Sequence, residues 1–286
     1  MTHRESEHFL RQHQRLSRRF LLACGSAGAV ALHGLPLFAD TGGSGPLSHS
    51  AVQDAIEKLE SWLTEPDEFR DVSRGNPRPH SLSDQRRQEV GLTRDTWKLE
   101  VVADADHKPR LGEQLTAADD SAFTFQDLMQ MAEKHVVRFP KVMTCLNIGC
   151  PLGTGIWEGV PLRNVIALAQ PRADLRRVFY YGYHNDDPQQ MFRSSLPIGR
   201  VLEDLYSLPP VILCYKLNGQ WLTPERGGPV RVVVPEAYGF KSIKWLSHLV
   251  LSNRWQSNDT YGEQNNDVDS PLKTFCETLS CPTKWQ

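Results

Sequence analysis

Beyond Asp40 the chain carries five cysteines, Cys145, Cys150, Cys214, Cys276 and Cys281, and five is an odd number. In an oxidising compartment at least one such thiol stays unpaired or binds something. Cys276 and Cys281 lie close together in a polar tail and are spaced for a local disulfide. No Cys-x-x-Cys-His occurs, so covalent c-type haem is not expected. The second chemical signal is Ser17-Arg18-Arg19-Phe20-Leu21-Leu22, just ahead of an apolar run. Paired arginines followed by Phe and Leu read as a twin-arginine export signal; the bland alternative is the basic leader of an ordinary secretory signal. The twin-arginine route carries folded chains, usually because a cofactor must be inserted before export. The question becomes which cofactor the rest of the chain could hold.

The leader has the expected anatomy. Residues 1–19 are polar and basic, and Phe20 to Ala31 is apolar but shorter than the ~20 residues that span hydrocarbon. Phe38-Ala39-Asp40 offers a cleavage region with Ala39 as the last leader residue. Cys24 imitates a lipoprotein box but comes too early in the apolar run. No other segment is apolar enough to cross a membrane, so a periplasmic protein is expected. The net charge of −2 becomes more negative without the leader, which argues against a nucleic-acid surface.

Periodicity marks the elements that must position any site. Asp40 to Ser50 is a Gly/Ser-rich linker, and Val52 to Leu63 has helical spacing. Arg70 to Gln88 is polar and irregular, unusual at that length unless it lines something. Thr96 to Val101 alternates with period two and reads as a strand. Thr124 followed by Asp127 is a capped start for a helix running to about His135. Lys141 to Leu146 reads as a strand ending at Cys145, Leu162 to Ala169 as a short helix, and Val178 to Tyr183 as an aromatic strand. Pro210 to Leu222 contains Asn218-Gly219 between apolar runs, a hairpin signal. Pro229 to Val234 and Ile243 to Leu251 are further strands. Strands broken by short helices without regular βαβ spacing predict a mixed α+β domain. The expected division is a signal peptide over 1–39, linker and helix over 40–69, a catalytic domain over 70–256, and a tail over 257–286.

Thr144-Cys145-Leu146-Asn147, followed by Trp157-Glu158-Gly159-Val160-Pro161-Leu162, resembles the active-site segment of the sulfite oxidase family of molybdenum enzymes. A second block agrees in order: Asn218-Gly219, Gly228-Pro229-Val230-Arg231-Val232-Val233-Val234-Pro235, then Tyr238-Gly239 and Lys244-Trp245. The resemblance implies that family's mixed-sheet domain and a molybdopterin cofactor holding molybdenum through a dithiolene and one protein thiolate. Cys145 matches that ligand, and a soft thiolate suits such a metal. The alternatives are a buried structural cysteine, a Cys145–Cys150 disulfide, or Cys150 as ligand; Cys214 reads as core. The pterin ends in a phosphate, which needs cations. Arg231 matches the family's cofactor-binding arginine, and Ser242, Ile243 and Lys244 match a segment at the pterin terminus. Arg226 stands where relatives often carry His or Asn. Tyr183 aligns with a cofactor contact of the methionine-sulfoxide-reductase branch. Arg74 is matched to a residue facing metal or substrate, with Asn76 and His80 approaching the pterin. Asn147 is expected to line the pocket, where that branch carries a carboxylate.

Phe192 is a departure, because sulfite oxidases proper carry a tyrosine there, and phenylalanine cannot donate a hydrogen bond or relay a proton. The chain also ends too soon after Trp245 for the family's C-terminal immunoglobulin-like dimerisation domain. The resemblance thus implies a periplasmic molybdenum oxidoreductase that transfers oxygen atoms on a small sulfur-oxo substrate. Its electrons pass to a separate carrier, a c-type cytochrome or a membrane haem or quinone subunit, and its export uses the twin-arginine translocon. Phe192 and the short C-terminus favour sulfoxide reduction. Sulfite oxidation is favoured if Arg74 faces the metal. The rival is a cofactor-free binding module on the same scaffold.

Overall fold

Strand β1 (Lys98–Ala103) shows how the first sheet is specified: Trp97, Leu99 and Val101 are buried, while Lys98 and Glu100 between them face outward. It pairs parallel with β10 (Leu246–Ser252) and antiparallel with β2 (Phe123–Thr124). Beyond β10 lie β5 (Arg177–Gly182) and β6 (Arg193–Pro197), giving the order β2-β1-β10-β5-β6. The second sheet is antiparallel, β3 (Val137–Thr144), β4 (Pro151–Pro161), β7 (Ile212–Leu217) and β8 (Gln220–Trp221), with β9 (Arg231–Val233) also on β7. This is the mixed-sheet α+β class read from the sequence.

The computed structural model describes residues 63–65, 68–145, 151–204, 208–257 and 260. The leader, most of the 40–69 linker and helix, Asn147, Cys150, Cys276 and Cys281 lie outside the described residues. The described residues from Thr64 on form one compact unit, and both sheets belong to it. No described helix is long and apolar enough to cross a membrane, and past β10 the described residues add no further strand.

Strand β7 explains where the core sits. Leu213 and Tyr215 enter the larger apolar cluster, shared with Leu99, Leu162 and Leu249, while Ile212 and Cys214 enter a smaller one around Phe69, Met143 and Trp157. A strand buried on both faces reads as a continuous apolar run rather than an alternation. The smaller cluster, on the face that carries the end of β3, borders the site.

Helix α2 (Phe125–His135) starts at a capping box: Thr124 Oγ1 accepts from Asp127 N at 3.2 Å, and Asp127 Oδ2 accepts from Thr124 N at 2.9 Å. Helix α3 (Leu162–Leu168) buries Leu162, Val165 and Ile166, and α4 (Ile198–Leu202) follows β6. Two differences from the sequence reading are informative. A short helix α1 (Asp84–Glu89), capped by Ser83, interrupts the stretch expected to be irregular. Strands β4 and β6 carry no clear sequence signal, and β4 hides because three of its residues are glycines. Close approach demands at least one of them, since a Cβ on Gly159 would lie 2.2 Å from Leu213 O.

The β5–β10 edge behaves the same way: a Cβ on Gly182 would meet Lys244 O at 2.1 Å, backbone that cannot step aside. Gly199 in α4 has nothing within 4 Å of its Cβ position. Gly182→Ala should therefore cost about 1–3 kcal/mol of stability. Gly199→Ala should add about 0.5–1 kcal/mol through helix propensity. Urea unfolding of both variants checks the signs, and destabilisation of equal size at the two positions would contradict this packing.

Candidate functional site

A cavity of about 380 Å3 opens where the end of β3, the turn after β5, the segment joining β9 to β10, and the extended stretch 69–75 meet. That stretch is anchored along β4, with Thr64 N donating to Thr154 O and Arg70 N to Leu152 O, both at 2.9 Å. Cys145 follows β3 directly, half-buried against the smaller apolar cluster, and pairs with no other described cysteine. Cys214 is different: fully buried, its thiol donating to Lys216 O at 3.2 Å, and pushed by burial up to about 12. It is an inert core thiol.

Positive charge dominates the walls. Arg70, Arg74, Arg226, Arg231 and Lys244 line the cavity, and no described Asp or Glu does. Strand β9 places Arg231 in the floor, 4 % exposed. Its Nη1 donates to Arg226 O at 2.9 Å, its Nη2 to Ser242 O at 2.6 Å, and its guanidinium lies 5.1 Å from the Trp157 ring centre. Its Nε is buried with no partner, and no described carboxylate pairs with it. Burial lowers its pKa to about 10, opposed by the Cys214 sulfur and assisted by Arg226. A buried cation without an acid is costly unless a ligand supplies the negative charge. The floor therefore fits an anionic ligand.

Arg226 is anchored from the 3₁₀ turn Pro224–Arg226, its Nη2 donating to Phe69 O at 2.8 Å, with Glu225 3.7 Å away. Lys244 also lines the cavity, but the three donors of its ammonium are all committed. They reach Asp71 Oδ1 at 3.1 Å, Ser73 Oγ at 2.7 Å and Glu225 O at 2.6 Å. Lys244 thus pins the 69–75 stretch rather than reaching into the cavity. Burial lowers its pKa to about 8, as does Arg231, against the pull of Asp71. Burial alone raises the Asp71 carboxyl, but the Ser73 hydroxyl and Lys244 outweigh it and bring it to about 2.

Of the other residues singled out in the sequence, Arg74, Tyr183, Ser242 and Ile243 line the cavity. Ser242 Oγ also accepts from Val234 N at 3.2 Å. Asn76 and His80 do not line it. The Asn76 backbone is bound to Gln190, and His80 packs behind the wall against Trp245, ring centres 6.2 Å apart. His80 Nε2 lies 3.7 Å from Asp71 Oδ2. The sequence reading missed Asp71, Phe69, His184 and Gln190. None sits in a block with motif spacing, and only the irregular polar character of 70–88 pointed toward that wall. Among the described residues no three His, Cys, Asp or Glu side chains converge on a metal. A metal beside Cys145 would have to bring its other ligands with it.

A family profile described as oxidoreductase molybdopterin binding domain matches residues 89–260. Sulfite oxidase from Gallus gallus is 34% identical over 119 residues, which span 39% of this chain and 25% of that protein. Nitrate reductase [NADPH] from Pichia angusta is 33% identical over 105 residues, 37% of this chain and 12% of that one. The chain thus corresponds to a quarter or less of these relatives. Among solved structures, the sulfane dehydrogenase SoxCD from Paracoccus pantotrophus aligns over 78% of this chain and 57% of that chain, with 20% identity and a TM-score of 0.47. Molybdopterin suits the residues present: a half-buried thiol for its metal and a desolvated guanidinium for its negative charge.

The Asp71 shift fixes a pH window. A carboxyl whose pKa falls from 3.8 to about 2 on folding stabilises the protein above about pH 4. That contribution disappears as pH falls through about 2. Asp71→Asn should lower the melting temperature at neutral pH, with the gap to wild type closing between pH 4 and 2. A gap that stays constant across that range would contradict the Lys244–Asp71–Ser73 staple.

Proposed function

The chain belongs to the oxidoreductase molybdopterin-binding domain family of molybdenum enzymes, and on that premise we propose that it transfers an oxygen atom to or from a small oxyanion such as sulfite. One observation carries the reading: Cys145 and Arg74 line one cavity, with the guanidinium groups of Arg70, Arg226 and Arg231 and no described carboxylate. The names of the two relatives, a sulfite oxidase and a nitrate reductase, support it, since both name oxyanions.

Bound molybdopterin supplies a metal able to exchange an oxygen atom and two electrons with the substrate. Cys145 would ligate this metal through its soft sulfur. Arg231, through its unpartnered Nε–H, and Arg226 hold the anionic pterin. Ser242, Ile243 and Tyr183 shape the wall beside it, and Lys244 holds that wall through Asp71 and Ser73. Arg74 presents a planar guanidinium for bidentate contact with an oxyanion. The two electrons are exchanged singly with a separate carrier, a c-type cytochrome or a membrane haem or quinone subunit. The Ser17–Leu22 pattern supports export through the twin-arginine translocon to the periplasm with the cofactor in place.

Phe192 favours a second reading, sulfoxide reduction, because it puts a ring without a hydroxyl against the Arg74 guanidinium, 4.4 Å from its centre. The readings separate in protein purified from a host that makes the pterin. Near-stoichiometric molybdenum and the fluorescence of released, oxidised pterin are expected. So is sulfite oxidation with an artificial acceptor, absent in Cys145→Ser. Arg74→Gln should raise the KM for sulfite about tenfold to a hundredfold, the worth of hydrogen bonds to a charged group. Turnover of methionine sulfoxide without any of sulfite would replace the first reading with the second. Metal-free protein would end both.

A further inference from the structure

The loop that follows β5 reaches back across the cavity to the Arg74 segment. Gln190 Oε1 accepts from Asn76 N at 2.8 Å, and Gln190 Nε2 donates to Asn76 O at 3.3 Å, so one side-chain amide pairs with one backbone residue as a strand would. Asn185 Nδ2 donates to the same Oε1 at 2.8 Å and to Pro77 O at 2.8 Å. Asp187 Oδ2 accepts the second proton of Gln190 Nε2 at 3.0 Å. Both heavy atoms of the Gln190 amide are therefore used twice. It lines the cavity, yet it has no donor left for a ligand.

What this clamp fixes is the position of Arg74. On its N-terminal side Ser73 is held by Lys244 at 2.7 Å, and on its C-terminal side Asn76 is held by Gln190. Gly75 between them turns at φ +109°, where a side chain would be strained and would press on Pro77 O and Pro79. Two residues past Gln190, Phe192 supplies the ring on which the Arg74 guanidinium rests. One short segment thus sets both the backbone and the side chain of Arg74.

We propose that Gln190, locked by Asn185, is a positioning residue that sets oxyanion affinity by holding Arg74 in place, without touching the anion itself. This rests on the reading of Arg74 as the oxyanion ligand. The two bonds between Gln190 and Asn76, at ordinary strength, are together worth about a tenfold change in binding. Because the effect passes through Arg74, it should vanish once the guanidinium is gone.

The test is a double-mutant cycle on the cofactor-loaded protein, with sulfate binding followed by titration calorimetry. Gln190→Ala should weaken sulfate about tenfold in the wild-type background and change it less than twofold in Arg74→Gln, with molybdenum content unchanged. Asn185→Gly is the second variant. Glycine accepts the left-handed φ of 58° there, so the fold is kept while the lock on Gln190 is lost, and the same Arg74-dependent weakening is expected. If Arg74→Gln weakens sulfate but Gln190→Ala and Asn185→Gly do not, the clamp is refuted and the oxyanion reading stands. Equal weakening in both backgrounds also refutes the clamp. If wild type and Arg74→Gln bind sulfate alike, the oxyanion reading fails and the clamp with it.

Discussion

A guanidinium buried between two apolar clusters, with no described acid to balance it, is the constraint around which the site is arranged. Arg231 sits on β9, whose neighbours Val232 and Val233 enter opposite cores, and its side chain reaches only the floor of the cavity, 4 % exposed. Two backbone carbonyls and the face of Trp157 soften the charge, yet its Nε has no partner. An uncompensated buried charge costs several kcal/mol. Whole domains are stable by only about 5–15 kcal/mol. The negative charge of a bound pterin thus belongs to the stability of the fold as well as to its chemistry.

The other buried cations show by contrast what a balanced one looks like. Lys141 on β3 donates to Pro235 O at 3.0 Å and Ala237 O at 2.7 Å, and burial lowers its pKa to about 8 despite nearby Glu236. Glu236 in turn receives both Arg200 Nε at 2.6 Å and Nη2 at 2.7 Å. That network grips from behind the loop carrying Gly239 and Phe240 to the cavity. Lys244 does the same for the 69–75 stretch through Asp71, Ser73 and Glu225. The acids stand behind the walls and hold them, while Arg231 keeps a buried Nε with no partner at the cavity floor.

Much of this frame is legible in the sequence, where the signal is local. The Thr124–Asp127 cap and the alternation into Val101 mark their elements. Asn218-Gly219 turns the β7–β8 hairpin with both residues at positive φ, 51° and 78°. The cysteine at the end of β3 and the arginine on β9 stand out because their flanking residues form ordered motifs. What stays hidden depends on contacts between distant residues. Strand β4 is masked by its glycines, and the reason for one of them, Gly159, is the distant backbone of β7. The Asn76–Gln190 pairing joins residues 114 positions apart. Lys244 is a conspicuous cation, but nothing in its surroundings along the chain shows that Asp71, Ser73 and Glu225 use all of its donors.

The most direct test of this account compares the rise in melting temperature on cofactor loading in wild type and in Arg231→Met. The buried guanidinium gives wild type a large rise, because loading balances its charge. In Arg231→Met, where no charge awaits an anion, the rise should be small. An equal rise in the two proteins would show that Arg231 does not meet the cofactor's charge, and would contradict the account at its centre.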